Sequence, residues 1–122
     1  SYTGENWTTR ALPATEDWSD AAASPTGFVV VANGATEFAY STDGLTWSSS
    51  STVAADTYTK VAYGQGRYVC IAESGAVITS DNNGNTWTSR TALPLGGAPT
   101  IVSLVYGDNR FIIIINNQQP YY

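Results

Sequence analysis

Carboxylates set beside aromatic rings are the groups in this chain best placed to do chemistry. Asp17 directly precedes Trp18, and Asp56 lies two residues before Tyr58, so each pair offers hydrogen-bond acceptors next to an aromatic face, a combination suited to a sugar. Asn33, Glu73, Asn116 and Asn117 fall at turns and complete the set of candidate binding residues. The competing reading is a solvated loop beside a core aromatic. Catalysis has less to draw on. The chain holds no histidine, so a Ser-His-Asp or Cys-His arrangement cannot be built, and zinc chemistry fails likewise. Glycoside hydrolysis asks only for two carboxylates at the right separation, and ten acidic residues leave it formally open. Asp81-Asn82-Asn83 suggests calcium at first sight but lacks the spaced oxygens and terminal carboxylate of a calcium loop. The expectation is no catalytic residue, no metal and no cofactor. Cys70 stands alone, which excludes an intrachain disulfide, and a small apolar core residue is the expected role.

Charge and size narrow the partners. The 122 residues carry a formal net charge of −5, with Lys60, Arg10, Arg67, Arg90 and Arg110 as the only cations. Nucleic acid and anionic membrane surfaces both require clustered basic side chains, so neither is expected as a partner. The longest aliphatic run, Phe111 to Ile115, is far short of the ~20 residues that cross a bilayer as a helix, and no membrane insertion is expected. The first residues show no basic stretch followed by an apolar core, which leaves export undetermined. With 43% hydrophobic and only 12% charged residues the chain can bury a core under a neutral coat of Ser, Thr, Asn and Gly.

The elements that must position these groups recur. Trp7, Trp47 and Trp87 lie 40 residues apart, and their flanks match: Ser41-Thr42-Asp43-Gly44-Leu45-Thr46 precedes Trp47, Ser80-Asp81-Asn82-Asn83-Gly84-Asn85-Thr86 precedes Trp87, and a reduced copy precedes Trp7. Between the tryptophans, Phe28 to Val31 falls on Tyr68 to Ile71, and a third copy with about three extra residues places Tyr106 to Phe111 on Tyr63 to Tyr68. Cys70 is thereby equivalent to Val30 and Ile113. Within one copy the spacing predicts four strands. Tyr58 to Tyr63 is a strand ending at the tight turn Gly64-Gln65-Gly66, Tyr68 to Ala72 is an apolar strand covered on both faces, Ala76 to Thr79 is a third, and the fourth begins near Trp87. Asn33-Gly34 is read as a short hairpin turn in the first copy. Gly, Pro, Ser, Thr and Asn interrupt every window long enough for a helix. The fold expected is all-β, a β-propeller of four-stranded antiparallel blades, about three per chain, because four strands every 40 residues is the signature of that repeat. Residues 11–50, 51–90 and 91–122 are the three copies, with 1–10 a fourth strand completing a blade.

The turns resemble the Asp-box, or BNR, repeat of sialidase-like β-propellers, whose pattern is Ser-x-Asp-x-Gly-x-Thr-Trp. Ser80, Asn82, Gly84, Thr86 and Trp87 keep its spacing with Asn for Asp, whereas Ser41, Asp43, Gly44 and Trp47 are one residue shorter. The aromatic-Gly-x-Gly-Arg-aromatic hairpin ahead of the turn is similar to repeats of phage virion and bacterial surface proteins. In such a motif Ser and Asp or Asn bind turn amides, Gly takes an angle other residues avoid, and Trp fills space between sheets, so these residues and Trp7 are expected to be structural. The resemblance implies a virion or extracellular surface setting and a self-assembling or receptor-binding interaction module, with glycan as a candidate ligand. The alternatives are a sialidase-like glycoside hydrolase or its remnant, and a purely structural decoration domain. Sialidases clamp their substrate with an arginine cluster, whereas Arg67 and Arg110 occupy equivalent turns of different copies and are expected to serve those turns. Three blades are fewer than the four to eight that usually close a ring. The chain is therefore expected either to pair with a second copy in a six-bladed ring, Asn6-Trp7-Thr8 completing a blade of its partner, or to be continued by the blades of a longer chain.

Overall fold

The computed structural model describes residues 11–12, 15–51, 53–94 and 100–116, and every regular element among them is a β-strand. Strands β1 (Asp17–Ser24), β2 (Gly27–Asn33), β3 (Ala39–Ser41) and β4 (Ser48–Ser49) form one antiparallel sheet in chain order. A second sheet repeats it with β5 (Tyr58–Gly64), β6 (Arg67–Ala72), β7 (Val77–Ser80) and β8 (Thr88–Arg90). The third contains β9 (Thr100–Gly107) and β10 (Arg110–Asn116). Trp7 and Asn117 lie outside the described residues.

Local chemistry explains the hairpins. Gly64 pairs with Arg67 and Gly107 with Arg110, which leaves two residues in each loop. Both loop residues take positive φ, Gln65 and Gly66 at 52° and 78°, Asp108 and Asn109 at 51° and 60°. That is the twist-matched turn that Gly, Asn and Asp tolerate. The first sheet departs from it with Pro25-Thr26, since proline holds φ negative. Asn33-Gly34 is not a two-residue hairpin: Gly34 has φ 73°, but β3 starts only at Ala39, and the Gly34 N–H is drawn outward to the Asp56 carbonyl at 2.7 Å. The turn is tied to the link that leads into β5.

The three sheets share one irregularity. A bulge at Ser19 interrupts the β1–β2 register, another at Thr59 the β5–β6 register, and a third at Val102 the β9–β10 register, each at the equivalent position. The bulge lets Tyr58 and Val61, three residues apart, face the same way.

The core lies between sheets. Val29 and Val31 of the first sheet meet Val61, Tyr68 and Cys70 of the second in one buried cluster. Ala62, Val69 and Ile71, on the opposite face of the second sheet, meet Ile101 and Leu104 of the third. Tyr68 through Ala72 are consequently all buried, as a strand covered on both faces must be. In β10 half-buried and exposed positions alternate, because among the described residues only one face of the third sheet meets another sheet.

Candidate functional site

Three of the expected binding loops are brought together at one edge of the first two sheets. The Asp56 carbonyl takes the Gly34 N–H, its Oδ1 takes the Thr57 N–H at 2.7 Å, and its Oδ2 takes the Ser74 hydroxyl at 2.8 Å. The Glu73 N–H donates to the Thr57 carbonyl at 3.0 Å. Asp17 pairs with Asn33 across β1 and β2, and the half-buried Trp18 packs on the inter-sheet core. Asp56 thus holds one loop against its neighbours through its carbonyl and Oδ2, while Oδ1 caps the next residue of its own loop. Tyr58 corrects the expectation of an aromatic binding face: it is 1% exposed, edge-on to Phe38 at 5.1 Å, and its hydroxyl donates to the Ala54 carbonyl at 2.6 Å. Burial, with the charges of Cys70 and Asp56 adding, pushes its hydroxyl pKa up to about 12. Asn116 stands opposite Thr100 in the third sheet. Arg67 and Arg110 are exposed at the first positions of β6 and β10, in different sheets.

The turns before the tryptophans are built by side chains bonding backbone. In the first, Ser41 Oγ donates to Asp43 Oδ1 at 3.0 Å and accepts the Gly44 N–H at 2.8 Å, while Asp43 Oδ1 takes the N–H groups of Leu45 and Thr46 at 2.8 and 2.9 Å. These donors, Thr46 first, then Leu45 and Ser41, hold the Asp43 carboxyl below its ordinary pKa. In the second, Ser80 Oγ donates to Asn82 Oδ1 at 2.9 Å and accepts the Gly84 N–H at 2.9 Å. Asn82 adds what an aspartate cannot, an Nδ2–H bond to the Thr86 hydroxyl at 2.7 Å. Gly44 and Gly84 have φ of 73° and 84°.

The second turn also lies on the first sheet, which its sequence alone does not reveal. Trp87 stands edge-on to Phe38 with centroids 5.4 Å apart, its indole N–H donating to the Gly84 carbonyl at 3.1 Å. Asn83 Oδ1 takes the Thr26 hydroxyl at 2.7 Å, Asn85 Oδ1 the Tyr40 hydroxyl at 3.2 Å, and the Asn85 carbonyl the Ser51 N–H at 2.8 Å. The turn is a clasp between sheets. Trp47 lies instead against Phe28 of its own sheet, with centroids 6.4 Å apart.

Three further groups join sheets and escape the sequence reading. Asp20 Oδ2 accepts the Val61 N–H at 3.0 Å, Ser19 Oγ donates to the Tyr58 carbonyl at 2.9 Å, and the Tyr68 hydroxyl donates to the Gly27 carbonyl at 3.1 Å. An aspartate inside a strand is the one signal that could have found them, since Asp is depleted there unless it has a partner. Cys70, fully buried, has its thiol pKa pushed up by that burial and by the nearby Asp20 charge.

No curated protein matches the chain. A family model for the DUF6242 beta propeller domain matches residues 1–117, nearly the whole chain, and the chain belongs to that family: its sheets are propeller blades.

Proposed function

We propose that this chain is a non-enzymatic interaction module that assembles with itself, head to tail, through the two outer faces of its sheets. The observation that carries this reading is the equivalence of the exposed faces to the buried ones. On the third sheet Val105, Ile112 and Ile114 point away from the core and are 45–50% exposed. They are the repeat equivalents of Ala62, Val69 and Ile71, the face on which the second sheet receives the third. On the first sheet Ala21, Phe28 and Val30 correspond to Val61, Tyr68 and Cys70, the face with which the second sheet covers the first. Phe28 is 41% exposed there, with Trp47 beside it.

Each outer face is therefore the counterpart of the other, and a contact between them would repeat a contact the chain already makes twice. Such a joint is heterologous, and two copies joined at both ends would close six blades around one axis. A non-enzymatic role is supported by the missing histidine and the sealed Cys70, and a virion or bacterial surface setting by the resemblance of the repeats alone. Light scattering at micromolar concentration tests the assembly. A mass of two chains is expected, with Ile112→Asp reducing it to one, because a charge would then be buried unpaired in the joint. A wild-type chain that stays a soluble monomer at that concentration would sink the proposal.

A further inference from the structure

Between the second and third sheets lies an apolar cavity of about 210 Å³, lined by Val69, Ile71, Val77 and Leu93 on one side and by Phe111 and Ile113 on the other. A cavity of about 150 Å³ already accepts a benzene ring, so an indole is within its range. The corresponding joint between the first and second sheets holds aromatic side chains. There the equivalents of the lining, Val29, Val31, Tyr68 and Cys70, belong to one cluster with Phe38, against which Trp87 packs edge-on. Among the described residues, the space one sheet further on has no such tryptophan.

The sequence contains one more tryptophan with the right phrase. Trp7-Thr8-Thr9-Arg10-Ala11-Leu12-Pro13 repeats Trp87-Thr88-Ser89-Arg90-Thr91-Ala92-Leu93-Pro94 with a single residue fewer, whereas Trp47 is followed by three serines and already lies on Phe28. Order along the repeat says where such a phrase acts. Trp87 leads into the third sheet but packs between the second and the first, so a tryptophan of this phrase fills the joint two sheets behind the one it leads into. Trp7 leads into the first sheet. Its joint is then on the far side of Phe28, away from the second sheet, and the cavity of its own chain lies on the other side.

We infer that the cavity is a socket for Trp7 of a second copy of this chain, which rests on the head-to-tail reading above. When the third sheet of one copy lies on the Phe28 face of another, the joint between the second and third sheets of the first copy becomes the one that Trp7 of the other copy must fill. The neighbour's tryptophan and the socket are thus the two halves of one joint.

Complementation tests it. Trp7→Ala keeps the socket and removes the plug, and Leu93→Trp keeps the plug and fills the socket from its own wall. Val77→Phe blocks the same space from the adjacent strand and replaces Leu93→Trp should that variant not fold. Each variant alone is expected to self-associate more weakly by on the order of 100-fold, as for a buried aromatic anchor. An equimolar mixture is expected to form a one-to-one dimer by sedimentation equilibrium, because Trp7 of the blocked chain enters the free socket of the other. Misfolded chains would not complement. If either variant alone assembles like wild type, or the mixture stays monomeric while wild type dimerises, the socket is refuted and head-to-tail assembly stands. If wild type itself does not associate, both fall.

Discussion

Gly84→Ala measures how hard the Trp87 turn presses on the neighbouring sheet. Gly84 has φ 84°, and a β-carbon there would stand 2.5 Å from Val29 Cγ2 and 3.3 Å from Tyr40 Cβ, both in the first sheet. The backbone angle alone costs an alanine about 1–2 kcal/mol. Forcing a methyl group into a packed joint adds about 1–3 kcal/mol. Gly66 supplies the control, with φ 78° and no atom within 4 Å of its would-be β-carbon, so Gly66→Ala bears the first cost only. Urea unfolding followed by tryptophan emission, at one fixed protein concentration, should therefore place Gly84→Ala about 1–3 kcal/mol below Gly66→Ala. Trimming the obstacle should return part of the loss: in a double-mutant cycle, Val29→Ala with Gly84→Ala should show a favourable coupling of about 1 kcal/mol or more. Equal destabilisation by the two glycine variants, or strict additivity in the cycle, would refute the clasp.

Acid should loosen the first turn but not the second. Because bonding lowers the folded pKa of Asp43, its contribution is present above the ordinary value of 3.8 and is lost as pH falls through the lowered one, whereas Asn82 does not titrate. Asp43→Asn should remove this pH dependence below about pH 4, read by amide exchange at Leu45 and Thr46. Tyr58 acts at the other end of the scale: its folded pKa is raised, so its contribution is full below 10, the ordinary value, and is lost as pH rises towards about 12. Tyr58→Phe should flatten alkaline destabilisation between those limits, while an unchanged profile would mean that Tyr58 does not control it. The Cys70 thiol should resist an aqueous thiol reagent in the folded chain and react fully in urea, and stoichiometric labelling of the native protein would contradict its burial.

The repeat was legible because its signals are local. Glycine at the hairpin after Tyr63, the serine and aspartate or asparagine of the turns, and apolar runs such as Tyr68 to Ala72 report their own backbone, and these appear as strands and turns where their types require. The candidate site was less so. Tyr58 reads as an aromatic beside a loop carboxylate, yet the bulge at Thr59 turns it into the core, and a bulge leaves no mark in hydrophobic alternation over so short a run. Asn33-Gly34 has the composition of a hairpin, but a bond to Asp56, more than 20 residues on, decides its shape. Contacts between repeats, such as Asp20 with Val61 or Asn85 with Tyr40, depend on how sheets stack and have no signature in either segment alone.

The recurring bulge at Ser19, Thr59 and Val102 separates two kinds of length change that an alignment by residue count would treat alike. Between the second and third copies about three residues have been added to the connecting stretch, and the hairpin, the bulge and the inward-facing set that follow are all preserved. Removing the single residue Thr59 would instead turn Tyr58, the first residue of β5, to the opposite face of the sheet. Insertions and deletions in such arrays should accordingly collect in the links between blades, and the bulge residue, whose type varies from Ser19 and Thr59 to Val102, should be among the last positions to be lost.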